Sequence, residues 1–187
     1  LNIVSAAGNV SAHTIGGSVY SGGLVGHNWY GAISYSSATG DVNANSASAH
    51  AYSGGLVGFN NGTISNLSAE GNVSANSASG TAYAGGLVGY NYSGAISNSS
   101  TTGHVSANSA DAYAGGLVGY RLLGAISNSS ATGDVSANSA GASAFVRAGG
   151  LVGYNQGGLI SNSSATGDVS ANATSGTASA GGLVGDN

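Results

Sequence analysis

Cysteine and lysine are both missing from this 187-residue chain, and only Arg121 and Arg147 carry positive charge. Without cysteine, neither a disulfide framework nor a thiolate metal site can form. Two cations against six carboxylates leave a net charge of −4, which gives no electrostatic footprint for nucleic acid or an anionic membrane surface. Charged residues make up 4% of the chain, against about 25% in typical soluble domains. Solubility therefore falls to Ser, Asn, Thr and backbone amides. No apolar run approaches the ~18 residues of a helical membrane span.

What the chain does have is repetition. Gly-Gly-Leu-Val-Gly occurs six times, and its leucines Leu24, Leu56, Leu87, Leu117, Leu151 and Leu183 stand 32, 31, 30, 34 and 32 residues apart. Self-similarity at this period indicates stacked units that cannot bury their apolar faces singly. The 35 glycines would suit a flexible linker, but linkers do not hold apolar residues in fixed columns. Here Val42, Val73, Val105, Val135 and Val169 form one such column, and Ile33, Ile64, Ile96, Ile126 and Ile160 form another.

Each unit reads as short strands separated by bends, with no helical period. Val42, Gly40 and Ala38 share a parity that Ile33 does not, so the chain must bend between Ile33 and Ser36 if both ends point inward. Residues 1–187 are thus expected to form one continuous all-β array, a right- or left-handed parallel β-solenoid (β-helix) of about six coils with a period near 31 residues. Stacking places like on like at about 4.8 Å. Asn45, Asn76, Asn108, Asn138 and Asn172 then form an asparagine ladder, and Asn28, Asn60, Asn91 and Asn155 a second one, their amides bonding to the coils on either side. Arg121 falls in the second column.

The chain enters and leaves partway round a coil. Residues 1–12 match the back half of a unit such as 33–44, and the last residues are Gly-Gly-Leu-Val-Gly-Asp-Asn187. With no charged, proline-bearing or helical cap at either end, the expectation is a piece of a longer solenoid or copies stacked end to end.

Gly-Gly-Leu-Val-Gly followed by Ile-Ser-Asn-Ser-Ser-Ala-Thr-Gly-Asp-Val-Ser-Ala resembles the GLUG-motif repeats of bacterial secreted and cell-surface proteins. Their best known carriers are filamentous-haemagglutinin-like adhesins and immunoglobulin-A-cleaving metallopeptidases. The resemblance covers essentially the whole chain and implies an extracellular stalk or passenger. Metallopeptidase chemistry in such proteins belongs to a His-Glu-x-x-His motif. The single glutamate here, Glu70, has no histidine beside it, so no catalytic residue carries over.

The residues themselves point the same way, to a non-enzymatic structural protein with no catalytic, cofactor or metal site. His27 and His104 sit in columns otherwise filled by aromatics and by Asn or Asp, which reads as drift. Asp134 and Asp168 are expected as exposed neighbours, a poor calcium site. Aromatics precede the motif at Tyr20, Tyr52, Tyr83 and Tyr113 and follow it at His27, Phe59, Tyr90, Tyr120 and Tyr154. Strand parity predicts that one aromatic and one aliphatic column face outward. Tyr90, Tyr120 and Tyr154, with Phe145 and Arg147 from the longest connector, are the candidate contact surface. The expected partners are further copies or coils, with a host-surface or glycan ligand as the alternative. A flat face for polysaccharide or ice is the second reading, and the threonine column Thr39, Thr102, Thr132 and Thr166 is broken at Glu70.

Overall fold

A computed structural model describes residues 1–142 and 144–187. The described elements are 27 short strands, and each break between them has a local cause. In the third coil the strands are Val73–Ser77, Thr81–Gly85, Val88–Asn91, Ile96–Ser97 and Ser100–Thr102. Asn98, at φ 49°, turns the chain between the last two. Its short polar side chain tolerates the left-handed region that larger residues avoid. Asn66, Asn128 and Asn162 do the same in their coils, and Tyr35 stands in that slot in an earlier one. This is the bend expected between Ile33 and Ser36. Gly103, at φ 118°, makes the next corner, where only glycine is comfortable.

The strands stack into parallel sheets, and every pairing among the described residues is parallel. Register is set like on like. Val73 pairs with Val42 and Val105, Tyr83 with Tyr52 and Tyr113, and Ile96 with Ile64 and Ile126. The result is a parallel β-solenoid of about six coils, roughly 30 Å long at ~4.8 Å per coil.

The interior holds two separate cores. One packs the Val73 and Ala75 columns against the Ala82 and Ala84 columns. The other packs Leu87, Val88 and Ile96 with their column mates and with Ala69 and Ala131. Leu56, Leu87, Leu117 and Leu151 are fully buried, and so are Val57, Val88, Val118 and Val152. Both aliphatic columns of the motif therefore face inward, and the parity expectation is corrected. It assumed one unbroken strand. The strand instead stops at Gly85 and restarts at Val88, and in the new strand Val88 and Tyr90 pair across coils while Gly89 is skipped. The corner and the residue left out of the ladder in every coil each reset the alternation.

The motif glycines at this corner serve close approach. A Cβ on Gly85 would overlap the carbonyl oxygen of Val88, and one on Gly86 would overlap that of Gly116 in the next coil. Leu24, Ile160 and Val169 are only half-buried and Leu183 is 39% exposed, unlike their column mates. They lie in the outermost coils, which have a neighbour on one side. Three of the sheets end at strands of those coils: Val10–Thr14 and Val169–Ala173, Val19–Gly22 and Gly176–Gly181, Val25–Asn28 and Val184–Asp186.

Candidate functional site

The two aromatic columns lie on the same outer face. Tyr20, Tyr52, Tyr83 and Tyr113 stack face to face with centroids 4.7, 4.9 and 5.4 Å apart. Phe59, Tyr90 and Tyr120 do likewise at 5.2 and 4.8 Å, followed by Tyr154 at 4.9 Å with its ring tilted. Between the columns the rings meet edge to face, as in Tyr83–Tyr90 at 5.2 Å and Tyr113–Tyr120 at 5.3 Å. Both arrangements suit the ring quadrupole. Within these stacks the faces are turned toward each other, so Tyr90 and Tyr120 present edges and hydroxyls outward.

Partial burial in this stack pushes the Tyr52, Tyr83, Tyr113 and Tyr120 phenols above their ordinary value, and Tyr90 up to about 12. Desolvation is the first cause, with neighbouring phenols adding to it.

Arg147 stands where the first column would place a fifth tyrosine. Its guanidinium lies 5.3 Å from the Tyr113 centroid, 4.7 Å from Tyr154 and 5.2 Å from Phe145. It donates to Asp186 at 2.6 Å and to the Tyr113 hydroxyl at 3.1 Å. Asp186 in turn occupies the second aromatic column, paired with Tyr154. A cation–π and ion-pair cluster thus replaces two rings. Phe145 remains 47% exposed beside it.

The two asparagine columns have opposite locations. Asn28, Asn60, Asn91 and Asn155 are buried. Asn28 Nδ2 donates to Asn60 Oδ1 and Asn60 Nδ2 to Asn91 Oδ1, both at 2.7 Å, and Asn155 Nδ2 donates to Asn187 Oδ1 at 2.6 Å. Every donor points toward the later coil. Arg121 interrupts this inner ladder and is fully buried. It donates from Nε to Asn155 Oδ1 at 2.7 Å, from Nη1 to the carbonyls of Gly124 and Leu159, and from Nη2 to Asn155 Oδ1 and the Gly158 carbonyl. A guanidinium has no acceptor, so Asn91 Nδ2 keeps the same-coil carbonyl bond that Asn28 and Asn60 also make, here to Gly94, and reaches the Leu123 carbonyl in place of a ladder partner. Burial lowers the Arg121 pKa to about 10, which leaves it cationic at neutral pH.

The outer ladder runs Asn76 to Asn45, Asn108 to Asn76, Asn138 to Asn108 and Asn172 to Asn138, at 3.0, 2.9, 3.2 and 2.9 Å. Its members are half-buried or exposed.

A third polar column carries a signal that residue types alone obscured. The side chains of Asn9, Asp41, Asn72 and Asp134 each accept the backbone N–H of the residue one coil on: Asp41, Asn72, His104 and Asp168. His104 fits the same scheme, with Nδ1 accepting from the Asp134 amide at 3.3 Å. The slot requires a short side-chain acceptor, and imidazole supplies one. Asp134 and Asp168 are joined through a carboxylate-to-amide bond rather than face to face.

The serines are also engaged. Ser99 Oγ donates to the Ser97 carbonyl and accepts from Leu67 N, and Ser129 and Ser163 repeat the pattern. Among the described residues, no three of His, Asp and Glu gather as a metal site would need.

No curated protein matches the chain. Among solved structures, a candidate immunoglobulin A1 protease from Bacteroides ovatus is similar, with a TM-score of 0.61 at 22% identity. The likeness covers 95% of this chain and 53% of that one, so the chain spans about half the length of its structural neighbour and shares its fold. The family model described as the GLUG motif matches residues 17–43, 49–74, 80–106, 110–136 and 146–170. Most of the chain lies in those five segments, one to each successive coil, and the protein is a member of the GLUG-motif family.

Proposed function

We infer that this GLUG solenoid is a non-catalytic structural element of a secreted or surface-exposed bacterial protein. It acts as a stiff segment of an adhesin-like rod, or as a unit that stacks head to tail into filaments. The observation that carries this reading is the coil-on-coil register, like on like in the core columns, together with the sheet edges at both outer coils. Those edges present the same columns: Val10, Leu24 and Val25 at one end, Val169, Leu183 and Val184 at the other. An edge of that kind pairs with another coil of the same pattern, whether in the same chain or in a second copy. The resemblance to half of a candidate protease supports a supporting arm beside other domains; the protease activity named for that protein is not transferred.

Two measurements test the reading. Antibody against the chain should label intact cells or the medium, and confinement to the cytoplasm would remove the surface role. Negative-stain microscopy at rising concentration should reveal rods in multiples of the single length, shortened by Leu183→Glu. Short monodisperse particles at every concentration would remove head-to-tail stacking.

A further inference from the structure

A trough runs along the rod beside the outer asparagine ladder. A depression of about 620 Å³ lies between Asn108 and Asn138 on one side and Ala110 and Ala140 on the other. A second, of about 330 Å³, continues it past Asn45 and Asn76. Both include Ser77, Ala78 and Asn108, so they form one channel open to solvent. Its floor is the ladder, and its far wall is the row of connectors that follow the valine strands.

We propose that this trough binds a neutral, extended polysaccharide lying parallel to the rod axis. The first argument is hydrogen-bonding capacity. A side-chain amide has two N–H donors and two acceptor lone pairs. In Asn108 and Asn138 the ladder uses one of each, leaving each of these two a donor and an acceptor for an outside partner. The second is charge. Among the described residues no Asp, Glu or Arg lines either depression, and His13 at one extremity is the sole titratable group in the lining. An anionic or cationic polymer finds no counter-ion there, whereas a hydroxyl-bearing neutral chain finds matched donors and acceptors.

The third argument is shape. The alanine methyls form an apolar shelf opposite the amides, as suits a sugar with a C–H face and hydroxyl edges. The amides recur at about the strand spacing of ~4.8 Å, comparable to the rise per unit of an extended β-linked glycan. The aromatic face offers a poorer platform, because its columns stack ring on ring.

The test is affinity electrophoresis of the intact chain through native gels containing β-glucan, xylan or mannan, with alginate as the charged comparator. Retardation is expected with at least one neutral glycan and not with alginate. Ala110→Tyr and Ala140→Tyr, which fill the trough, should weaken it roughly tenfold or more. Thr102→Tyr, exposed on another sheet, should leave it unchanged. Melting temperature is followed for each variant, and Ala78→Tyr, at an exposed position, replaces any that melts early. No retardation by any neutral glycan, retardation by alginate alone, or equal retardation of folded trough variants would each overturn the proposal. The rod reading is tested by microscopy and labelling, so it survives or fails separately.

Discussion

A single methyl group, placed at two equivalent motif positions, separates stacking between coils from the local needs of the motif. Gly86 and Gly182 are both the second glycine of Gly-Gly-Leu-Val-Gly, and neither has a positive φ. An alanine Cβ at position 86 would overlap the Gly116 carbonyl oxygen and lie 3.1 Å from both Cβ and Oγ1 of Thr101. Thr101 cannot simply rotate away, since its hydroxyl donates to that same carbonyl at 2.7 Å. The coils must therefore separate locally, straining the bond from Gly86 N to Gly115 O. Overpacking of this kind costs about 1–3 kcal/mol, and a weakened backbone bond adds about 0.5–1.5 kcal/mol. A loss near 3 kcal/mol lowers Tm by about 6–12 °C for a chain of this size.

At position 182 a Cβ meets nothing within 4 Å. At concentrations too low for end-to-end stacking, Gly182→Ala should instead stabilise the 187-residue chain by about 0.4–1 kcal/mol through the unfolded state. Calorimetry or thermal circular dichroism on both variants reads the difference. Equal destabilisation would mean that glycine is needed for the corner itself, and the argument from the neighbouring coil would fail.

Three further predictions follow from the columns. Arg121→Asn should raise Tm, because it restores the amide ladder and removes a desolvated cation with no carboxylate partner; a fall in Tm would refute that account. Asn60→Ala should cost about 3 kcal/mol, since it strands the amides of Asn28 and Asn91 inside the fold, while Asn172→Ala at the exposed end of the outer ladder should cost about 0.5 kcal/mol or less, both read by denaturant titration. The raised phenol pKa values make stability complete below about pH 10, the unfolded tyrosine value. It declines as pH climbs from there toward the folded values, because the unfolded chain sheds its protons first. Spectrophotometric titration should find Tyr52, Tyr83, Tyr90, Tyr113 and Tyr120 ionising late, and Tyr83→Phe, which removes one such group, should shallow the alkaline loss.

Column membership was legible in the sequence. Val73 beneath Val105, Tyr83 beneath Tyr113 and the bend between Ile33 and Ser36 all follow from spacing and parity. Which side of the wall a column occupies was not legible wherever the alternation is reset. Val88 and Tyr90 are two residues apart, yet one is buried and the other faces out, because Gly89 drops out of the ladder. Nothing in a string of glycines distinguishes one that permits a positive φ, such as Gly103, from one that admits a neighbouring carbonyl, such as Gly86. The trough beside Asn108 was hidden for the same reason: a column records what stacks, and a groove depends on how far the next connector projects.

The histidine and arginine substitutions show where slot and residue type must be read together. His104 looked like drift while its column was defined by Asn and Asp as residue names. Defined instead as an acceptor for the next coil's amide, the column admits imidazole Nδ1 without strain. Arg121 is the converse case. By type it belongs at the surface, and by slot it belongs among buried amides, where it makes the donor half of their hydrogen bonds and forfeits the acceptor half. The slot prevailed because five N–H donors can meet Asn155 and the carbonyls of Gly124, Gly158 and Leu159 together. A lysine in that place, with three donors and no planar fork, would leave some of those oxygens unpaired. Arg121→Lys should therefore be less stable than both the native chain and Arg121→Asn, an ordering that a surface-exposed side chain would not produce.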